Sequence, residues 1–333
     1  MSAPGAHASG EDSLIARYFK PLATDPGAFG LTDDAAILKA LGGDIVVTTD
    51  ALVEGVHFLP DDPPDTIAQK ALRVNLSDLA AKGADPAGFV LALALPKVDE
   101  AWLADFARGL GADATSFGCP LLGGDTVSTP GPLMISITAF GRVPPGKMVH
   151  RSGAKPGDQV VVTGTIGDAA LGLDILKRGK VAAALAGDAL SRELLVGRYR
   201  VPQPRNALAS AIRAHAHAAM DVSDGLAGDL AKLCAASGVS AVIDLKSVPL
   251  SPAASKALAA GAVGLAEIVS GGDDYEVLCA VPPDASEQFS RMAEVAGVAV
   301  SPIGTIIAGE SAPKWLDEEG KELPLAHTSY SHF

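Results

Sequence analysis

The chain has 333 residues, 48% of them hydrophobic and 20% charged, with 36 glycines, 23 prolines and only 5% aromatics. That composition lies far from the disordered class, and the length suits two domains of roughly 150 residues each better than one small module. A formal charge of -13 excludes an extended nucleic-acid surface, which needs clustered Lys and Arg, but leaves room for a phosphate-bearing molecule reached through divalent cations.

In chain order, residues 1–12 read as a flexible tail of small and acidic residues leading into a short amphipathic helix over 14–19. A β-branched run at 45–49 predicts a strand, 66–84 a long helix, and 89–95 an alternating strand closed by Pro96. A helix over 100–117 and a strand over 133–140 complete the first half. Pro144, Pro145, Gly146, Gly153 and Pro156 punctuate the chain and mark a linker. The expected domains are therefore 13–145 and 146–333.

The second half opens with a strand over 159–163, followed by helices near 168–178, 188–196 and 206–215 and another after Asp224. Strands at 241–245, 277–281 and 298–307 follow, with a helix near 285–296. Strands and helices interleave throughout, so each half reads as an α/β or α+β layer structure. Trp315 reads as a core residue.

Cys119, Cys234 and Cys279 are odd in number and lack CxxC spacing, which argues against a zinc knuckle or a disulfide framework and for a reducing cytoplasm. The first thirteen residues have no basic stretch followed by an apolar one, and the apolar run at 89–95 is too short to cross a bilayer. A soluble, unprocessed protein with no membrane partner is expected.

Six short segments set aspartate beside glycine, serine or threonine: Thr32-Asp33-Asp34, Thr48-Thr49-Asp50, Asn75-Leu76-Ser77-Asp78, Gly123-Gly124-Asp125-Thr126, Asp221-Val222-Ser223-Asp224-Gly225 and Gly271-Gly272-Asp273-Asp274-Tyr275-Glu276. Each alone has a structural reading. Asp221 with Asp224 three residues on suits a helix start; Asp33-Asp34 and Gly124-Asp125 suit turns; Asp78 sits in a helical pattern. Asp50 closes an apolar strand, where open α/β sheets put their ligands.

Taken together they point elsewhere. Hard cations such as Mg²⁺ take oxygen ligands, usually a few carboxylates with water and phosphate oxygens. Neighbouring glycines let backbone N–H groups approach phosphate, and helix starts add a partial positive end. The set reads as a multi-metal polyphosphate site drawn from both halves. The P-loop, GxSxG and HExxH signatures are absent.

Through these same residues the chain resembles the thiamine-monophosphate kinase family, of the superfamily shared with aminoimidazole ribonucleotide synthetase and selenophosphate synthetase. The resemblance runs through 13–19, 49–58, 74–86, 123–126, 151–157, 221–226 and 270–276. It implies an ATP-dependent kinase converting thiamine monophosphate to thiamine diphosphate, with ATP and several Mg²⁺ ions. It also implies a two-domain PurM-like α/β fold whose N-terminal sheet pairs across a homodimer.

By the same resemblance, Asp34, Thr48, Thr49, Asp50, Asp78, Asp125, Asp221 and Asp224 would hold magnesium. Gly124, Asp125, Arg151 and Ser223 would contact ATP, and His57, Asp273 and Tyr330 the thiamine monophosphate. The family usually has Glu where this chain has Asp273, one methylene shorter. The acceptor is already an anion at neutral pH, so direct in-line transfer without a phosphoenzyme is expected, with no covalent nucleophile. The first cysteine is Cys119 and the chain ends in Phe333, which speaks against the selenophosphate synthetase and hydrogenase-maturation branches. Aminoimidazole ribonucleotide synthetase and a non-catalytic Mg-nucleotide scaffold are the alternatives.

Overall fold

A computed structural model describes residues 13–31, 35–317 and 319–325. The chain groups into two compact units. The first gathers the residues up to Leu41 with Val47–Asn75 and Pro86–Arg142; the second takes Gly42–Val46, Leu76–Asp85 and everything from Val143.

In the first unit, strands β1 (Asp44–Val53), β2 (Asp85–Leu95), β3 (Leu121–Ser128) and β4 (Met134–Val143) form one sheet in the order β1-β4-β2-β3. Between β2 and β3 the chain runs through the helix Glu100–Ser116, whose first turn is capped by the Asp99 carboxylate on Ala101 N and Trp102 N. A helical crossover of this kind delivers a strand parallel to the one it left, and β2 and β3 do pair in parallel. The crossover helix packs tightly on the helix Pro64–Ala81, tied by Arg73 to Asp113 at 2.6 and 2.8 Å.

Alternation decides which face of this sheet is covered. On β4, Ile135, Ile137 and Ala139 are buried while Met134 and its alternates are more exposed; on β1, Val46 and Leu52 are buried while Val47 is 57% exposed. One face thus makes the core and the other presents Val47, Met134 and Val127 outward.

The second unit is built on six strands: β5 (Gln159–Thr163), β6 (Ala218–Val222), β7 (Val239–Asp244), β8 (Glu276–Val281), β9 (Val300–Ala308) and β10 (Lys314–Leu316), in the order β10-β7-β9-β5-β8-β6. All neighbours are antiparallel except β10 with β7. Period-2 alternation feeds two cores. Val160, Val162, Met220 and Leu278 pack with the helix Leu226–Ser237, whereas Val161, Ala219, Val277 and Cys279 pack with Ile212 and Phe289. Coverage on both faces leaves β6 and β8 buried throughout, their carboxylates Asp221 and Glu276 included. Trp315 lies in the first of these cores.

Two expected features differ in the structure. Residues 14–19 form a single wide helical turn, Ile15–Phe19, followed at once by the tighter turn Lys20–Leu22. Gly123-Gly124-Asp125-Thr126 lies inside β3 and not in a turn. Glycine is required there by closeness to the neighbouring strand: a Cβ on Gly124 would stand 2.0 Å from the Leu91 carbonyl oxygen. Among the described residues no helix is long and apolar enough to cross a membrane.

Candidate functional site

The helix Pro64–Ala81, which belongs to the second unit only from Leu76 on, ends just past Asp78, and Lys82 follows one turn beyond that aspartate. Lys82 Nζ donates to the Ala219 carbonyl at 2.8 Å. Burial pushes this ammonium below its ordinary value, against the pull of Asp221 and Asp78 and with the help of Arg151. Asp78, Asp221 and Arg151, separated by up to 143 positions in sequence, therefore act on one buried cation. Asp221 belongs to β6 and is itself buried.

Past Asp221 the chain turns through Val222, Ser223, Asp224 and Gly225 into the helix Leu226–Ser237. The buried Asp229, inside that helix, reaches back: its Oδ2 accepts from Ser223 N at 3.0 Å and Asp224 N at 2.9 Å, shaping the loop. Burial raises the Asp229 carboxyl above its usual range, opposed by Lys232. Lys232 Nζ also lies 2.5 Å from Asp224 Oδ2.

Residues 271–275 are bound to this loop backbone to backbone. Asp273 N donates to Ser223 O and Tyr275 N to Val222 O, both at 2.8 Å. The approach leaves no space for a side chain at Gly272, where a Cβ would fall 2.7 Å from Ser223 O. Asp273 and Asp224, predicted for substrate and metal respectively, thus sit on adjoining loops. Ser77, beside Asp78, donates to Tyr275 O at 3.4 Å. The site end of this unit therefore brings together Asp78, Arg151, Asp221, Ser223, Asp224 and Asp273.

The other predicted residues lie in the first unit. Thr48, Thr49 and Asp50 are within β1, with Asp50 three residues short of its end, and Thr49 Oγ1 donates to Ile137 O at 3.1 Å across to β4. Gly124 and Asp125 lie on β3, at the opposite edge of the sheet, three inter-strand steps or about 14 Å away. They border a cavity of about 420 Å³ lined also by Phe19, Leu31, Val90 and Leu122.

His57 stands in the turn after β1. Its Nδ1 accepts from Val53 N at 3.0 Å, which puts the proton of the neutral ring on Nε2. Its carbonyl is held by the fully buried Lys70 at 2.9 Å. Asp34 and Tyr330 lie outside the described residues.

Among the described residues no three His, Cys, Asp or Glu side chains gather closely enough to cage a metal by themselves. The donors at the site end of the second unit are carboxylate and hydroxyl oxygens, the chemistry that suits Mg²⁺, which is commonly held by one or two carboxylates with water and phosphate completing its shell.

Reading the sequence alone missed Lys82, Asp229, Lys232 and the pair Arg198 and Arg205. The available signals were spacings: Lys82 falls four after Asp78 on a helical pattern, Lys232 three after Asp229, and the two arginines flank Pro202 and Pro204.

Two AIR synthase related domains define the class of this chain, the N-terminal domain matching residues 32–143 and the C-terminal domain residues 155–314. A thiamine-monophosphate kinase from Caulobacter vibrioides is 44% identical, covering 99% of this chain and 93% of that one. The crystal structure of thiamine-monophosphate kinase from Stenotrophomonas maltophilia superposes with a TM-score of 0.81 at 37% identity, covering 94% and 96% of the two chains. AaThiL, solved in complex with AMPPCP and TMP, gives 0.75 at 28% identity over 92% and 97%. The chain belongs to the thiamine-monophosphate kinase family.

Proposed function

We propose that the protein transfers the γ-phosphoryl group of ATP directly to the phosphate of thiamine monophosphate, giving thiamine diphosphate. Family membership supports the activity, and the solved relative bound to AMPPCP and TMP supports the two substrates. The single observation that carries the geometry is the backbone pairing of residues 273 and 275 with residues 223 and 222, because it sets the loop assigned to the acceptor against the loop assigned to the nucleotide.

The acceptor phosphate monoester has its second ionisation near 6, so it is already a nucleophilic anion at neutral pH. No general base is needed; the task of the chain is to hold two polyanions in line. Asp78, Asp221 and Asp224, with Thr48, Thr49, Asp50, Asp125 and Asp34, would hold Mg²⁺, which when bound neutralises charge between donor and acceptor. Ser223, Gly124 and Arg151 would bind ATP, Arg151 through its planar donor fork. His57 would present Nε2–H to the substrate, Asp273 would face its cationic or polar groups, and Tyr330 would stack on its ring.

Asp50 and Asp125 on opposite edges of one sheet cannot share an ion whose ligands stand about 2 Å from it. A second copy can supply the missing edge. The outward face of the four-stranded sheet, with Val47, Met134 and Val127 exposed, supports a homodimer in which each site takes Asp125 from the other chain. The three buried, unpaired thiols fit a reducing cytoplasmic setting.

The test is direct. Purified protein incubated with ATP, Mg²⁺ and thiamine monophosphate should yield thiamine diphosphate and ADP in equal amounts, and failure to form thiamine diphosphate sinks the proposal. Trapping of a stable phosphorylated protein would rule out direct transfer.

A further inference from the structure

Two residues of the 273–275 stretch occupy the left-handed backbone region without being glycine: Asp273 at φ 71° and Tyr275 at φ 51°. Such conformations are uphill for L-residues and persist only where the surroundings over-determine them. The restraints here are unusually complete. The amides of Asp273 and Tyr275 are tied to Ser223 O and Val222 O. The buried Asp274 carboxylate accepts from Gly167 N at 2.7 Å and Ala169 N at 3.3 Å at the start of the helix Asp168–Leu176. Tyr275 O takes the Ser77 hydroxyl.

The carbonyl of Asp274, midway between the two strained residues, accepts from Arg198 Nη2 at 3.2 Å. The same nitrogen lies 2.6 Å from Glu276 Oε1. Glu276 is fully buried and receives three more donors: Arg205 Nη2 on Oε1 at 2.5 Å, Arg205 Nε on Oε2 at 2.6 Å and the Thr163 hydroxyl on Oε2 at 2.6 Å. Two donors per oxygen fill the acceptor capacity of a carboxylate. Glu276, though acidic and part of the same motif as Asp273, is thereby spent on orienting arginine.

We propose that Arg198, oriented by Glu276, which Arg205 and Thr163 hold in turn, is a positioning residue for the acceptor substrate: it fixes the Asp274 carbonyl and so the strained backbone from which Asp273 projects. The inference rests on the assignment of Asp273 to thiamine monophosphate. A guanidinium suits the role because its planar fork is pre-organised, so less side-chain freedom is lost for the two bonds that Nη2 makes to the carboxylate and the carbonyl.

The experiment uses the full chain with R198M, R198K, D273A and the R198M/D273A double variant. KM for thiamine monophosphate and for ATP are measured separately, alongside Tm. R198M should raise the thiamine monophosphate KM by about 10- to 100-fold, as loss of an outer support commonly does, with the ATP KM within about twofold and R198K recovering part of the loss. In the D273A background R198M should add no more than about twofold, since a residue that acts through Asp273 has nothing left to position.

A lowered Tm with unchanged thiamine monophosphate KM in R198M overturns the positioning role, as do penalties that multiply in the double variant. Should R198M fail to fold, R198K decides alone, a wild-type KM overturning the proposal. An unaltered KM in D273A overturns the assignment of Asp273 itself, a separate failure from a normal R198M beside an impaired D273A.

Discussion

Lys232 bonds Asp224 at 2.5 Å while the same ammonium holds Asp229 at 2.8 Å. A residue assigned to Mg²⁺ thus already carries a counter-ion of the protein's own, and a divalent ion binding at Asp224 must compete with it. Both side chains are about two-fifths exposed, so solvent screens the pair and its strength is modest, about 0.2–1 kcal/mol. Lys232→Met should lower the Mg²⁺ concentration needed for half-maximal nucleotide binding by about 1.4- to 5-fold. Calorimetric titration of Mg²⁺ in the presence of ADP reads this directly; an unchanged midpoint would remove Asp224 from the metal set.

The edge positions of Asp50 and Asp125 lead to a complementation test. Asp50→Asn and Asp125→Asn should each cost on the order of 100-fold or more in turnover with unchanged circular dichroism. If each site draws the two carboxylates from different chains, unfolding and refolding the two variants together should restore about one quarter of wild-type sites, because half of the dimers are mixed and each has one intact site of two. No recovery on mixing would place both residues in one chain's site or outside it.

Gly124→Ala tests the fold as well as the nucleotide site, and Tm reads the fold separately. The added Cβ would overlap the Leu91 carbonyl at 2.0 Å, so β3 must move away from β2 and lose ladder bonds. The expected cost is about 1–3 kcal/mol, visible as a Tm drop of several degrees by scanning calorimetry, and a wild-type Tm would contradict the observed strand register.

Burial pushes the Cys119 and Cys279 thiols up to about 12 and Cys234 to about 11. A thiol raised in the folded state favours folding below its unfolded value, near 8.5, and that contribution is lost as pH rises through the folded value. Stability should therefore fall steadily from about pH 8.5 towards 12. At pH 8 the native chain should resist iodoacetamide, and all three thiols should be alkylated once it is unfolded, as mass spectrometry would show. Rapid native labelling at any of them would contradict its burial.

Much was legible in the one-dimensional pattern because the pattern is itself physical. The strand Gln159–Thr163 follows from its β-branched run and the helix Glu100–Ser116 from an aspartate cap ahead of it. β6 escaped notice because Ala218 and Ala219 are weak strand signals, and it is a strand through pairing with β8 on one edge and coverage on both faces. β3 escaped because paired glycines read as a turn when nothing in the sequence says that Leu91 lies against them.

The sequence by itself determined the donor types on offer, because acidic, glycine-flanked motifs supply oxygen ligands and allow close backbone approach. Only the tertiary structure decided which motifs meet. The loop at 221–225 and the loop at 271–275 are joined by hydrogen bonds across about fifty residues. Asp78, Asp221 and Arg151 all bear on the charge of Lys82, while Asp50 and Asp125 stand on opposite edges of one sheet. Local spacing specifies a helix or a strand; strand order and long-range pairing, which no short window contains, specify what faces what.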